Sequence, residues 1–249
     1  MYLWVFLTPY RNGDLDADIL INKLTHGLSR RLTGGLMDLG CLGYGGHGGM
    51  SEDWSGFMTT IILSTGAYED YPIGAWAFTD ANSLGVYLCS MNSRPIDIRE
   101  HERTRLLQFP RDRHHLGRDS LGRFALSNLE ARYWSTLFLP QSLPNGAVPI
   151  GNFYLPRGKN ERCIPKQGNS LMTQLLILGM KFQPCRPLLF NARNAIIEAD
   201  RILTGGQNAC ELWAGFSVRG LGVGALIRDG SPWGGGYRTN DFLVLNHCR

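Results

Sequence analysis

The sequence predicts a mainly α-helical protein with an irregular middle segment, and three observations carry that reading. Apolar residues recur at helical spacing in several separated stretches. Glycines stand directly after most of those stretches, where a helix ends easily. Residues 94–168, by contrast, hold no sustained period of either kind and carry scattered prolines, a length of patternless chain that is uncommon inside a compact domain.

The elements follow in order. Residues 14–33 read as a helix: Asp14 can cap its start, Leu15, Ile19, Leu20, Leu24 and Leu28 form an apolar stripe, and Arg30 and Arg31 suit the negative end of the dipole. Gly34 and Gly35 stop it. Residues 41–50 read as a glycine-rich loop, with Ser51 as the N-cap of a second helix running to Leu63 and Glu52 and Asp53 in its first turn. Residues 170–181 form a largely buried helix, 191–203 another closed by Gly205 and Gly206, and 210–219 a short one closed by Gly220. The chain thus divides into 1–92, 93–169 and 170–249, parts of a single partial domain.

With 249 residues, 43% hydrophobic and 18% charged, the chain can bury a sizeable core. Its net charge of +4 is mild. The basic run from Arg94 to Arg123 is interrupted by Asp97, Glu100, Glu102, Asp112 and Asp119 and lacks stacking aromatics, which argues against a nucleic-acid platform. The run MYLWVFLTPY is too short for a membrane span and lacks the basic start of a signal peptide. Six cysteines show no C-x-x-C spacing, which argues against a structural zinc cluster; their even number permits disulfides.

The first helix carries the chemistry. A zinc peptidase of the H-E-x-x-H type needs two histidines four apart, so that both imidazoles leave one helix face, and a glutamate to take a proton from zinc-bound water. Here the helix reads INKLTHGLSRRLTGG, preceded by MYLW and PYRNGDLD. From Met1 to Gly35 this resembles the fungalysins, secreted fungal zinc metallopeptidases whose pattern is HEYTHGLSNRLTGG after MYLW and PYRDGDLE. The resemblance implies that His26 stands at the second zinc histidine, Asn22 at the first, and Lys23 at the catalytic glutamate. GGMSEDWSGF resembles the family's GGMGEGWSDF, which puts Glu52 at the third ligand and Gly56 where an orienting carboxylate would stand. An amide is a poor zinc ligand, and a protonated lysine cannot act as a base. Taken alone, His26 reads as an ordinary helix histidine and Glu52 as a first-turn acid; only the resemblance makes them ligands.

The resemblance resumes from Phe182 in FQPCRPLLFNARNAIIEAD and GGQNACELWAGFSVRGLG, where Cys185 and Cys210 match family cysteines that could pair or stand as two small buried thiols. YPIGAWA resembles YTMGEWA, and DRHHLG resembles EVHDIGE, making His114 a candidate oxyanion stabiliser. Past Gly117 the family continues like ETVWASML, whereas this chain reads RDSLGRFAL; a one-base shift of a synonymous coding sequence turns one pattern into the other. Part of the middle is then expected to be translated out of frame or across an unspliced intron, returning to frame before Ser170.

The resemblance implies the C-terminal helical lobe of a thermolysin-like metallopeptidase, with a β-rich lobe ahead of the metal helix. This chain begins almost at that helix, so Leu20, Leu24 and Leu28 are expected to lie open. The function implied is that of an extracellular zinc metalloendopeptidase relative acting on peptides or proteins, with no membrane or nucleic-acid partner, and inactive because its first histidine and base are replaced. Two alternatives stand beside it: a weak zinc endopeptidase using His26, Glu52 and a surrogate ligand such as His47, and a non-catalytic protein that binds peptides or a partner.

Overall fold

The computed structural model describes residues 11–35, 38–43, 45–63, 72–73, 76, 87–88, 143–147, 153–156, 162–218, 220–228 and 237–248. The whole Arg-rich run, with His114 and the RDSLGRFAL stretch, lies outside them. The described chain is mostly helical: α1 (Ala17–Leu32), α2 (Gly45–Leu63), α3 (Gly168–Phe182), α4 (Leu189–Thr204) and α5 (Ala209–Ser217). Two short antiparallel pairs accompany them, β1 (Pro72–Ile73) with β2 (Tyr87–Leu88), and β3 (Leu226–Arg228) with β4 (Tyr237–Thr239).

The first helix starts later than the sequence suggests. Residues 13–15 form a separate 3-10 turn, and Asp16, not Asp14, caps α1 by accepting hydrogen bonds from the backbone of Asp18 and Ile19. The second helix starts earlier. Its first turn is built from the glycines read as a loop, so Ser51 lies inside α2 and His47 in its opening turn. Glycine disfavours helix by about 1 kcal/mol per residue, but here it permits close packing: a Cβ on Gly48 would meet the carbonyl oxygen of Gly43 at 3.1 Å. Burial of His47 and Met50 in that segment outweighs the local preference.

α1 presents an unexpected face to its neighbour. Asn22, Thr25, Ser29 and Thr33 are buried, while Leu24 is 66% exposed and Leu20 and Leu28 more than a third. The leucine stripe therefore points outward, as the resemblance led one to expect and as apolar periodicity alone would not. The reason lies in α2, whose buried Ser51 and Ser55, four positions apart, hydrogen-bond to side chains of α1, with buried Thr59 continuing the spacing.

The other faces of α2 enter the core. Trp54, Phe57, Met58 and Ile61 pack with Met172, Leu175, Leu176 and Met180 of α3, Ile196 and Leu203 of α4, and Leu212 and Phe216 of α5. At the α3–α4 crossing, Gly179 lets the helices approach: a Cβ there would lie 3.0 Å from Ile196 Cγ1. Gly205, at φ +80°, ends α4 with its N–H bonded back to Arg201 and Asp200. The fully buried Asp200 then ties α4 to α5, accepting from Thr204 Oγ1 at 2.7 Å and from the Asn208 backbone and side-chain amide at 3.1 and 2.7 Å.

Two disulfides hold the ends. Cys41 pairs with Cys185, linking the turn before α2 to the segment after α3, and Cys210 pairs with Cys248, fastening the chain's tail to the start of α5. The Cys185–Cys210 pairing considered from the resemblance is thereby corrected. Cys185 lies after α3 and Cys210 in the first turn of α5, and each has another partner.

Candidate metal centre

The antiparallel contact of α1 with α2 brings Asn22, His26, Ser51, Glu52 and Ser55 into one cluster. Asn22 and His26 stand four apart on α1, and Ser51 and Ser55 four apart on α2, so each pair leaves its helix on one side. Asn22 Nδ2 donates to Ser55 Oγ at 2.8 Å, a bond buried on both sides. Ser55 in turn donates to the Glu52 carbonyl at 2.8 Å and lies 3.2 Å from His26 Nε2. His26 Nε2 is 3.1 Å from Glu52 Oε2, and His26 Nδ1 is 3.0 Å from Ser51 Oγ.

An ionised carboxylate only accepts, so a ring proton on Nε2 would face Glu52, and Nδ1 would then accept from the Ser51 hydroxyl. The side chains of His26 and Glu52 are 14% and 27% exposed, so the pair opens to solvent on one side while Asn22, Ser51 and Ser55 close it on the other.

The cluster can be tested against a zinc ion on its donors. Zinc held at 2.0–2.2 Å by nitrogen and oxygen in a tetrahedron sets neighbouring ligand atoms about 3.3 Å apart. The 3.1 Å between His26 Nε2 and Glu52 Oε2 is close to one such edge. Among the described residues no competent donor supplies a third corner: an amide coordinates weakly and through its oxygen, and Asn22 is engaged with Ser55 through its nitrogen. A catalytic zinc needs three protein ligands and an open position, so the described residues do not fit one.

The remaining candidates are dispersed. Lys23 lies on the exposed side of α1 and Gly56 is buried in α2. His47 is only 3% exposed, with Nδ1 unpartnered, and burial together with the Arg186 charge holds its pKa below the usual histidine value. It does not join His26 and Glu52: the only groups of three metal-capable side chains among the described residues are Asp38–Cys41–Cys185 and Cys210–His247–Cys248. The surrogate role considered for His47 gains no support from that grouping.

Ser51 and Ser55 were missed as members of the cluster. Their four-residue spacing, continued by Thr59, was the available signal, but Ser51 before Glu52 and Asp53 reads equally well as a helix cap.

Comparison with known proteins places the whole. The sequence matches the family described as Fungalysin metallopeptidase (M36) over residues 1–111 and 152–225. It is 36% identical over 260 residues to an extracellular metalloproteinase MEP of Fusarium vanettenii, covering 98% of this chain and 35% of that protein. Similar identity, 36% over 238 residues, relates 90% of the chain to 33% of the extracellular metalloproteinase MEP of Leptosphaeria maculans. The same identity holds for the extracellular metalloproteinase mep of Aspergillus niger, over 232 residues. The chain spans about a third of the length of these curated relatives. No described helix is long and apolar enough to cross a membrane. From the matched segments and these relatives, the chain belongs to the fungalysin metallopeptidase family.

Proposed function

We propose that this chain is a non-cleaving member of its family, in which the place of a zinc site has become a hydrogen-bonded joint between α1 and α2. The observation that carries the reading is the buried Asn22 Nδ2–Ser55 Oγ bond. By the family pattern Asn22 stands where a zinc histidine would, and its amide is engaged in holding two helices together. Lys23, at the position of the general base, is exposed and cationic, so no carboxylate is on hand there to take a proton from water. Its relatives are named extracellular metalloproteinases, and by that likeness an extracellular setting and peptide or protein ligands are the natural assignments.

A second reading is supported by the 3.1 Å spacing of His26 Nε2 and Glu52 Oε2. Two donors at that distance can hold zinc loosely without supplying catalysis, and a peptide chain could still lie across the exposed side of the pair. The out-of-frame reading of the middle draws support from the family match, which stops at residue 111 and resumes at 152; RDSLGRFAL falls inside that gap.

The test is casein cleavage by the purified chain supplied with zinc, with and without a chelator. No chelator-sensitive cleavage is expected. Cleavage that a chelator abolishes, from protein carrying stoichiometric zinc, contradicts the proposal.

A further inference from the structure

The geometry points to a second metal site, at the tail of the chain, which opens when the Cys210–Cys248 disulfide is reduced; we propose that it takes a thiophilic divalent cation such as zinc or cadmium. The sulfurs of Cys210 and Cys248 and a ring nitrogen of His247 all lie within 4.8 Å of one another. Two thiolates and an imidazole form a donor set that zinc accepts, with a fourth position left to water.

Of the two three-residue groups among the described residues, only this one is suited. In the other, Asp38–Cys41–Cys185, Cys41 is 1% exposed and out of reach of a reductant and a hydrated cation. Here His247 is exposed and both cysteines are half-buried, so a reductant and a hydrated cation can reach all three. Cys210 occupies the first turn of α5, where the helix dipole favours a thiolate.

The chemistry balances with a small dithiol as reductant. Its two thiols transfer two electrons and two protons to the Cys210–Cys248 bond, which breaks to give two thiols, while the dithiol closes to its own disulfide. The cation then displaces both thiol protons to solvent. Zinc–sulfur bonds near 2.3 Å require the sulfurs to part to about 3.8 Å, a side-chain movement compatible with Cα atoms 5.3 Å apart. Metal would thus replace the disulfide in fastening the turn Asn246–Cys248 to α5.

The experiment uses the full chain, reduced with a dithiol, freed of reductant without air and titrated with cadmium, reading the thiolate-to-metal absorption band and the far-ultraviolet circular dichroism. One equivalent is expected to bind with a band of two-thiolate intensity. His247→Ala should weaken binding about tenfold or more, and Cys210→Ser/Cys248→Ser should remove that equivalent. Uptake unchanged in either variant would overturn the proposal.

Discussion

Asn22 and Ser55 meet at 2.8 Å in the buried contact between α1 and α2, and through Ser55 that bond reaches His26 and Glu52. Removing the amide leaves a buried hydroxyl short of one partner. Asn22→Ala is therefore expected to lower stability by about 1–3 kcal/mol, read as a lower urea midpoint with unchanged slope. An unchanged midpoint would mean the joint contributes nothing to the fold.

The outward leucines make a different prediction. Leu24 is 66% exposed and Leu28 37%, so replacing them with Lys and Glu removes no buried contact of consequence. Leu24→Lys/Leu28→Glu should change unfolding free energy by no more than about 0.5 kcal/mol while reducing self-association measured by light scattering after gel filtration. A large loss of stability would show that the stripe is covered.

How much of this was legible in the sequence can be judged on α1 and α2. The helices themselves were readable from periodicity, capping and the glycines after them, and α3 to α5 fell within a few residues of their expected bounds. The direction of α1 was readable only through the resemblance, which left Leu20, Leu24 and Leu28 open; from periodicity alone an apolar stripe marks the buried side, and the partner's edge of serines carries no hydrophobic signal. The start of α2 was hidden for a related reason: glycine codes for a loop locally, and the burial of His47 and Met50 overrides it. Of the site, His26, Glu52 and Asn22 were found through the family pattern, whereas the serines that bind them needed the packing of two helices to be seen.

His47 links stability to pH. Its pKa is depressed, first by burial and then by the Arg186 charge, so in the folded chain it stays neutral at pH values where an unfolded histidine, with a pKa near 6.5, takes up a proton. The unfolded state binds more protons there, and stability must fall as pH drops below about 6.5. The melting temperature of His47→Gln should depend less on pH between about 7 and 5 than that of the parent chain. Equal pH slopes would remove His47 from the account.

The Cys41–Cys185 bond closes a loop with a sequence separation of 144, and it lies against Gly34, where a Cβ would collide with Cys41 Sγ. Cys41→Ser/Cys185→Ser is expected to cost about 2–5 kcal/mol, seen as a lower denaturant midpoint. A loss well under 1 kcal/mol would contradict the role given to this bond.

The central claim, that the Asn22–Ser55 joint stands where a catalytic zinc would, is tested most directly by zinc uptake in equilibrium dialysis of the purified chain beside Asn22→His. The account predicts less than one equivalent held by the chain itself, and binding at least about tenfold tighter in Asn22→His, which restores a third donor beside His26 and Glu52. One tightly held equivalent in the unaltered chain, lost on His26→Ala, would contradict it.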